Sequence, residues 1–532
     1  MTRAILPYKI EPLSTSKRRV VTASIAGDRV LAKRSQGQSI PLLARLETRD
    51  LGVRESIYKT CLAAIIDGRW PAGTRVASSR QLAIEWRAAR NTVDDAFAQL
   101  QADGFLERRV GDGTYVAAQL PGQTSRTAAR KAKRPSALGR RALANVSAWG
   151  RSAQSTVSPH TIPRPRAFLA GLPALDAFPL ALWRRIAARR WRASGAELLG
   201  YMPSLGYGPL REATVRYLAT ARGVECEADQ MMILNSSMQA VDLATRVLLE
   251  RGDVAWIEDP SYSNLRAVLA MAGARIAPIP TDAHGLDVAH GIRHAPDPSL
   301  VVVTPSCQYP SGVTLALERR LALIRHAEAA GAWILEDDYQ SEFTYAGRPV
   351  ASIHSLDRGE RTLYLGTFTN AVFPSLRLAY LVLPRPLVAV FEAVRRQLDD
   401  HTHGFMQAVL ADFIDGGHFS AHMRRMRALY QSRRDTLVAA CARELPDGIV
   451  LGPTTSGMNA ALHLPARWQD DKVVGDAATA GLRLLRLSRS SAGARRANGL
   501  LLGYTALSER QINAGIVRLG RVLRELATTR RS

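Results

Sequence analysis

The stretch Trp333-Ile334-Leu335-Glu336-Asp337-Asp338-Tyr339-Gln340-Ser341-Glu342-Phe343 decides the fold. Three bulky apolar residues lead into a cluster of acids and aromatics, as a buried strand does when it ends at a polar turn. The arrangement recurs upstream. Val254-Ala255-Trp256-Ile257 runs into Glu258-Asp259-Pro260-Ser261-Tyr262, and Leu300-Val301-Val302-Val303 runs into Thr304-Pro305-Ser306. A helical stretch follows each. Buried strands alternating with helices predict an α/β domain built on a mixed, largely parallel sheet covered on both faces.

Working outward, 532 residues predict two or three domains, and a hydrophobic fraction of 46% is enough for sizeable cores. Cys61, Cys226, Cys307 and Cys441 are scattered without C-x-x-C spacing, which argues against a disulfide framework and against a zinc site. That usage suits a reducing cytosol, so a cytoplasmic protein is expected. No apolar run approaches a membrane span. Residues 1–44 are basic and Ser-rich and read as a disordered tail.

The formal charge of +24 is unevenly placed. No Asp or Glu occurs between Asp112 and Asp176, while Arg126, Arg130, Lys131, Lys133, Arg134, Arg140, Arg141 and Arg151 lie there among Ala, Ser, Pro and Gly. Such a segment cannot bury enough apolar surface to fold, so residues 119–164 are expected to form a flexible basic linker. A diffuse positive field of this size suits a polyanion rather than a small acidic molecule.

Before the linker, residues 45–118 carry a complete helix-and-hairpin pattern. Ile57, Cys61, Leu62, Ile65 and Ile66 follow helical spacing, and Asp67-Gly68 ends that helix. Ser78 caps the start of a second helix, and Asn91 or a neighbour opens a third, with Val93, Ala96, Phe97 and Leu100 on one face. Gly104 stops it. Phe105–Arg109 and Thr114–Val116 then read as strands joined by Gly111-Asp112-Gly113. This plan is a winged helix-turn-helix.

The module resembles the GntR superfamily through Pro71–Arg80, Ala89–Val93 and Gly111–Val116, with Ala77 in place of a proline and Ala89 in place of a serine. The resemblance implies that Arg80, Arg90, Asn91 and Thr92 face a double-stranded DNA operator. Helix N-termini favour phosphate, and arginine or asparagine can reach base edges.

From residue 165 to 528 further motifs accumulate: Gly206-Tyr207-Gly208-Pro209-Leu210-Arg211-Glu212-Ala213, Pro310-Ser311-Gly312, and the run Leu365–Leu378. That run resembles the cofactor-lysine segment of fold-type I pyridoxal phosphate (PLP) enzymes, G-T-F-S-K-x-x-F-P-x-L-R-L. The motif order resembles a fold-type I aminotransferase with large and small domains. A winged helix before such a domain is similar to the MocR subfamily of GntR regulators.

By that resemblance Asp337 pairs with the cofactor's pyridine nitrogen, Tyr339 with its ring hydroxyl, and Tyr262 stacks on the ring. Arg377, Ser236, Ser237 and Thr367 hold the phosphate. The Schiff-base lysine position is Asn370, and a delocalised carboxamide nitrogen cannot condense with an aldehyde. Beyond Lys133 the one lysine is Lys472, in a context that reads as a solvated helix start. Leu501-Leu502-Gly503-Tyr504 carries no arginine where many aminotransferases bind the substrate carboxylate, and Cys307 stands where relatives often carry histidine.

The expected function is DNA-binding regulation by a homodimer whose sensor domain has lost covalent PLP chemistry. No catalytic or metal-ligating residue is expected, and any PLP is held non-covalently. The effector is PLP-like or amino-acid-like. Two alternatives stand: an active PLP-dependent aminotransferase, and a ligand-free repressor whose C-terminal domain only dimerises.

Overall fold

The computed structural model describes residues 52–121, 146–147, 150, 167–193, 195–346, 350–493 and 496–528. The expected tail and the basic residues of the expected linker lie outside the described residues. The chain divides into two compact units between positions 143 and 144.

In the first unit, helices α1 (Val53–Ile66), α2 (Ser79–Trp86) and α3 (Arg90–Ala102) precede strands β1 (Leu106–Arg109) and β2 (Gly113–Val116). Ile57, Cys61, Ala64 and Ile65 of α1 pack with Leu82 of α2 and with Val93, Ala96, Phe97 and Leu100 of α3. This is the helical spacing read from the sequence, now forming one core. The Ser78 hydroxyl accepts the Gln81 N–H at 3.3 Å, closing the first turn of α2. α3 begins at Arg90, one residue before Asn91, and its cap Ala89 offers no side-chain hydrogen bond. Burial of Val93 and Phe97 therefore sets that helix start, not a cap. The antiparallel hairpin pairs Leu106 with Val116 and Arg109 with Gly113.

In the second unit the main sheet comprises β3 (Met231–Leu234), β4 (Val254–Asp259), β5 (Arg275–Asp282), β6 (Gly285–Leu286), β7 (Leu300–Val303), β8 (Trp333–Asp337), β9 (Thr362–Thr367) and β10 (Ala379–Val382). Their spatial order is β3-β10-β9-β8-β7-β4-β5-β6. The pairs from β5 through β4, β7 and β8 to β9 are parallel, whereas β10 runs antiparallel to both its neighbours. Alternation along each strand feeds two cores. Met232 and Leu234 join Val241, Leu265 and Leu269 of the helices on one face. Met231 and Ile233 join Leu210, Leu218 and Val409 on the other.

A smaller antiparallel sheet holds β11 (Val450–Leu451), β12 (Asn459–His463), β13 (Leu485–Arg486) and β14 (Gly499–Gly503) in the order β11-β12-β14-β13. Val473 and Ala477 of helix Asp470–Thr479, with Ile512, Ile516 and Leu519 of helix Glu509–Thr528, cover it.

The topology gathers the motifs. Parallel strands β4, β7, β8 and β9 all finish at one edge of the main sheet. Ala379, which opens β10, lies opposite both Thr367 and Leu234, so the end of β3 and the loop before β10 reach the same edge. Carboxyl ends of parallel strands are where open α/β sheets bind ligands.

Candidate functional site: a sheet edge and an exposed helix start

At the sheet edge Asp337 is the last residue of β8. Its Oδ1 is sealed from solvent and takes no hydrogen bond. Burial, reinforced by Asp338 and Glu258, raises this carboxyl to about 7. A buried acid without a partner needs a donor to arrive from elsewhere. The neighbouring Asp338 is partnered through Oδ2, which Arg222 binds at 2.8 Å and to which the Tyr364 hydroxyl donates at 2.5 Å, while its Oδ1, like that of Asp337, is buried without a hydrogen bond. Arg222 also reaches Ser306 at 3.0 Å. This ion pair clamps the strand end that presents Asp337.

Asn370 lies just beyond β9, with its Nδ2 donating to the Tyr339 carbonyl at 3.2 Å. Thr367 closes the same turn: its hydroxyl accepts the Thr369 N–H at 3.1 Å and donates to the Leu378 carbonyl at 3.4 Å. Arg377 follows in the left-handed region at φ 53°, exposed, with no hydrogen bond or ion pair from its guanidinium to another described residue. Ser236 caps helix Ser237–Leu248, its hydroxyl accepting the Gln239 N–H at 3.1 Å. That helix start aims unsatisfied N–H groups outward, a ready anion site.

The Tyr262 ring meets Tyr309 edge-on at 5.5 Å, and its hydroxyl accepts from Asn264 at 3.1 Å. Cys307 is buried against Ser456 and Tyr339, and burial pushes its thiol up to about 11. Gly457, at φ 88°, makes room there: a Cβ would stand 2.7 Å from the Cys307 sulfur.

The small sheet is latched to this edge. Asp259 accepts the N–H groups of Ala492 and Gly493 at 2.7 and 2.9 Å, and Arg266 binds the carbonyls of Ser490 and Arg489 at 2.6 and 2.8 Å. Arg489 thereby comes close enough to oppose the burial effect on Tyr262 and Tyr309. Sequence reasoning missed Arg489, Tyr309 and Arg222. Arg222 lies 116 residues from Asp338, and no local pattern marks that pairing. Arg486 is paired with Asp471. Leu501 is buried in an apolar cluster with Ala461 and Leu487. Lys472 is exposed on the first turns of its helix.

In the first unit Arg80 is the second residue of α2, and Arg90, Asn91 and Thr92 open α3. Arg80, Arg90 and Asn91 are exposed, and Thr92 is half-buried. Arg90 makes only a loose 3.5 Å pair with Asp94. At the wing, the Arg109 guanidinium sits 4.3 Å above the Tyr115 ring and the Tyr115 hydroxyl donates to Asp112 at 2.8 Å. No helix of the described residues is long and apolar enough to cross a membrane.

Comparison with known proteins agrees with both units. The family "Aminotransferase class I and II" matches residues 174–483, and "Bacterial regulatory proteins, gntR family" matches residues 53–116. The chain is 35% identical over 467 residues to the probable rhizopine catabolism regulatory protein MocR of Rhizobium meliloti, covering 88% of this chain and 93% of that one. It is 28% identical to the pyridoxine biosynthesis transcriptional regulator PdxR of Corynebacterium glutamicum, over 82% of this chain and 88% of the relative. Among solved structures, a kynurenine aminotransferase of Pyrococcus horikoshii in complex with PMP aligns with a TM-score of 0.65 at 27% identity, covering 73% of this chain and 96% of that one.

Fold and comparisons together define a DNA-binding transcriptional regulator carrying an aminotransferase-like domain. The aminotransferase fold normally binds PLP. The chain belongs to the MocR-type GntR regulators.

Proposed function

We propose that this regulator uses its sheet-edge pocket to bind a phosphorylated pyridine reversibly, without a covalent anchor and without transamination. The observation that carries the reading is the pairing of an orphaned Asp337 Oδ1 with a carboxamide at position 370. The first keeps a demand for a donor such as a pyridinium N–H. The second removes the amine that would anchor a cofactor.

The residues present fit the group. Asp337 would hold the ring nitrogen, Tyr339 the ring hydroxyl, and Tyr262 the ring face. Arg377, Ser236, Ser237 and Thr367 would hold the phosphate, a planar guanidinium and a helix start both suiting that anion. When bound to a protein, PLP supplies an electron sink for amine chemistry. This chain's residues orient the ring and neutralise its charges, but buried Leu501 leaves a substrate carboxylate without its usual cation.

In the first unit, Arg80, Arg90, Asn91 and Thr92 would contact an operator, with the basic segment adding non-specific phosphate contacts. The exposed apolar side chains Leu180, Trp191, Leu199 and Tyr201, 59–91% exposed, are the surface that a second copy would cover, making a homodimer. Binding to the chromosome places the protein in the cytoplasm.

Titration with PLP, pyridoxamine phosphate and amino acids, followed by borohydride, tests the reading. Reversible binding that borohydride does not fix at position 370 is expected, and Asn370→Lys should convert it to a fixed, coloured adduct. An absence of any phosphopyridine binding would leave the C-terminal domain as a dimerisation module. Brisk turnover by the wild-type chain would restore the enzyme reading.

A further inference from the structure

The orientation of Asn370 carries one step more, resting on the reading that the pocket takes a phosphorylated pyridine. A backbone carbonyl only accepts hydrogen bonds, so the 3.2 Å contact with the Tyr339 carbonyl must come from the amide nitrogen. That bond decides which way the carboxamide faces: Nδ2 towards Tyr339, Oδ1 away from it. Among the described residues no hydrogen bond ends on Oδ1, and it is not one of the polar atoms sealed from solvent. The residue at the lysine position therefore presents an open acceptor.

The charge around it points the same way. Glu258, Asp337, Asp338 and Glu342 are gathered at this end of the sheet, and Arg222 is taken up by Asp338. Arg377 and Arg489 lie on the Tyr262 side of the site, where they act on that ring's hydroxyl. An aldehyde oxygen is itself an acceptor and would face Oδ1 with no proton between them. A primary ammonium donates three hydrogen bonds and brings positive charge to an acidic edge.

We propose that the pocket selects the amine form of the ligand, a phosphorylated pyridine bearing a primary ammonium beside Asn370, over the aldehyde form. A regulator built this way reads the balance between the two forms, and hence the amino-transfer reactions that interconvert them. The lost lysine becomes a change of ligand preference as well as a loss of anchoring.

Calorimetric titration of the full chain with pyridoxamine 5′-phosphate and pyridoxal 5′-phosphate tests this, using the wild type, Asn370→Leu and Asn370→Asp. A charge-assisted hydrogen bond corresponds to about tenfold or more in affinity, so the amine form should bind at least that much more tightly to the wild type. Asn370→Leu keeps the volume, removes the acceptor and should bring the two affinities together. Asn370→Asp should widen the gap. Borohydride reduction and mass mapping locate any aldehyde adducts at lysines such as Lys472, and their extent is subtracted from the aldehyde titration. Equal affinities in the wild type, tighter aldehyde binding, or a preference untouched in both variants would overturn the inference while leaving the pocket reading intact. Binding of neither ligand would overturn the pocket reading and the preference with it.

Discussion

The two units treat arginine in opposite ways. At the start of α3, Arg90 keeps 64% of its side chain in solvent and touches Asp94 only at 3.5 Å. In the second unit Arg222 is 6% exposed and binds a fully buried Asp338 at 2.8 Å. An exposed guanidinium in high dielectric gains little from a nearby carboxylate and stays available to a polyanion. A buried one is held by its partner, because separating them strands a charge in a poor solvent. The first kind of arginine is the kind proposed above to meet DNA. The second holds in place the strand end that carries Asp337, the residue proposed to meet the ligand.

Removing the buried partner should have the largest effect. Arg222→Ala should destabilise the second unit by about 3–5 kcal/mol, because Asp338 would be left uncompensated. Denaturant unfolding followed by near-UV signals from that unit would measure it, and a loss under about 1 kcal/mol would put Arg222 on a par with the exposed arginines. Replacing the exposed arginines should leave stability alone and act on DNA. Arg80→Ala and Arg90→Ala should each weaken cognate binding by about 1–3 kcal/mol where a base is read. Anisotropy titrations on a cognate duplex would show it, and an unchanged affinity in the double variant would remove both residues from the interface.

A smaller effect comes from pH. Burial raises Glu258, Glu336, Asp337 and Glu342 each to about 7, above the ordinary carboxylate range near 4. The folded chain therefore holds protons that the unfolded chain releases. Their stabilisation is complete below about pH 4 and is lost as pH rises through about 7. The Tm of the second unit should be higher at pH 5.5 than at pH 8. A phosphopyridine that donates to Asp337 should flatten that slope, and Asp337→Asn should flatten it without ligand. A Tm that rises with pH would contradict the sign.

The smallest effect belongs to the basic segment. Deleting residues 121–155 should reduce the salt dependence of DNA binding with little change in which sequence is preferred, because phosphate contacts release counterions without reading bases. An unchanged salt slope would assign that segment a spacing role.

Legibility followed the range of the interactions. In the first unit, helix faces, the Ser78 cap and the glycine-turned wing involve residues a few positions apart, and they read correctly to within a residue. α3 began at Arg90 because packing, not a cap side chain, set its start. In the second unit the strands read as apolar runs, but β8 continued through Glu336 to Asp337. Glu336 can stay in the strand because it accepts the N–H groups of Ile353 and His354 at 3.0 and 2.8 Å, partners invisible to local pattern.

By itself the sequence determined the two kinds of domain, the charge that suits DNA, and the absence of an amine at position 370. These follow from residue chemistry and short-range periodicity, which need no third dimension. Only the tertiary structure decided that Asp338 holds Arg222 through Oδ2 while Asp337 has no ion-pair partner, that Leu501 lies sealed in the core, and that Asn370 turns its nitrogen to Tyr339. Each of those depends on which distant segments the sheet brings to one edge, and on burial, which turns an ordinary carboxylate or amide into one that must find a specific partner.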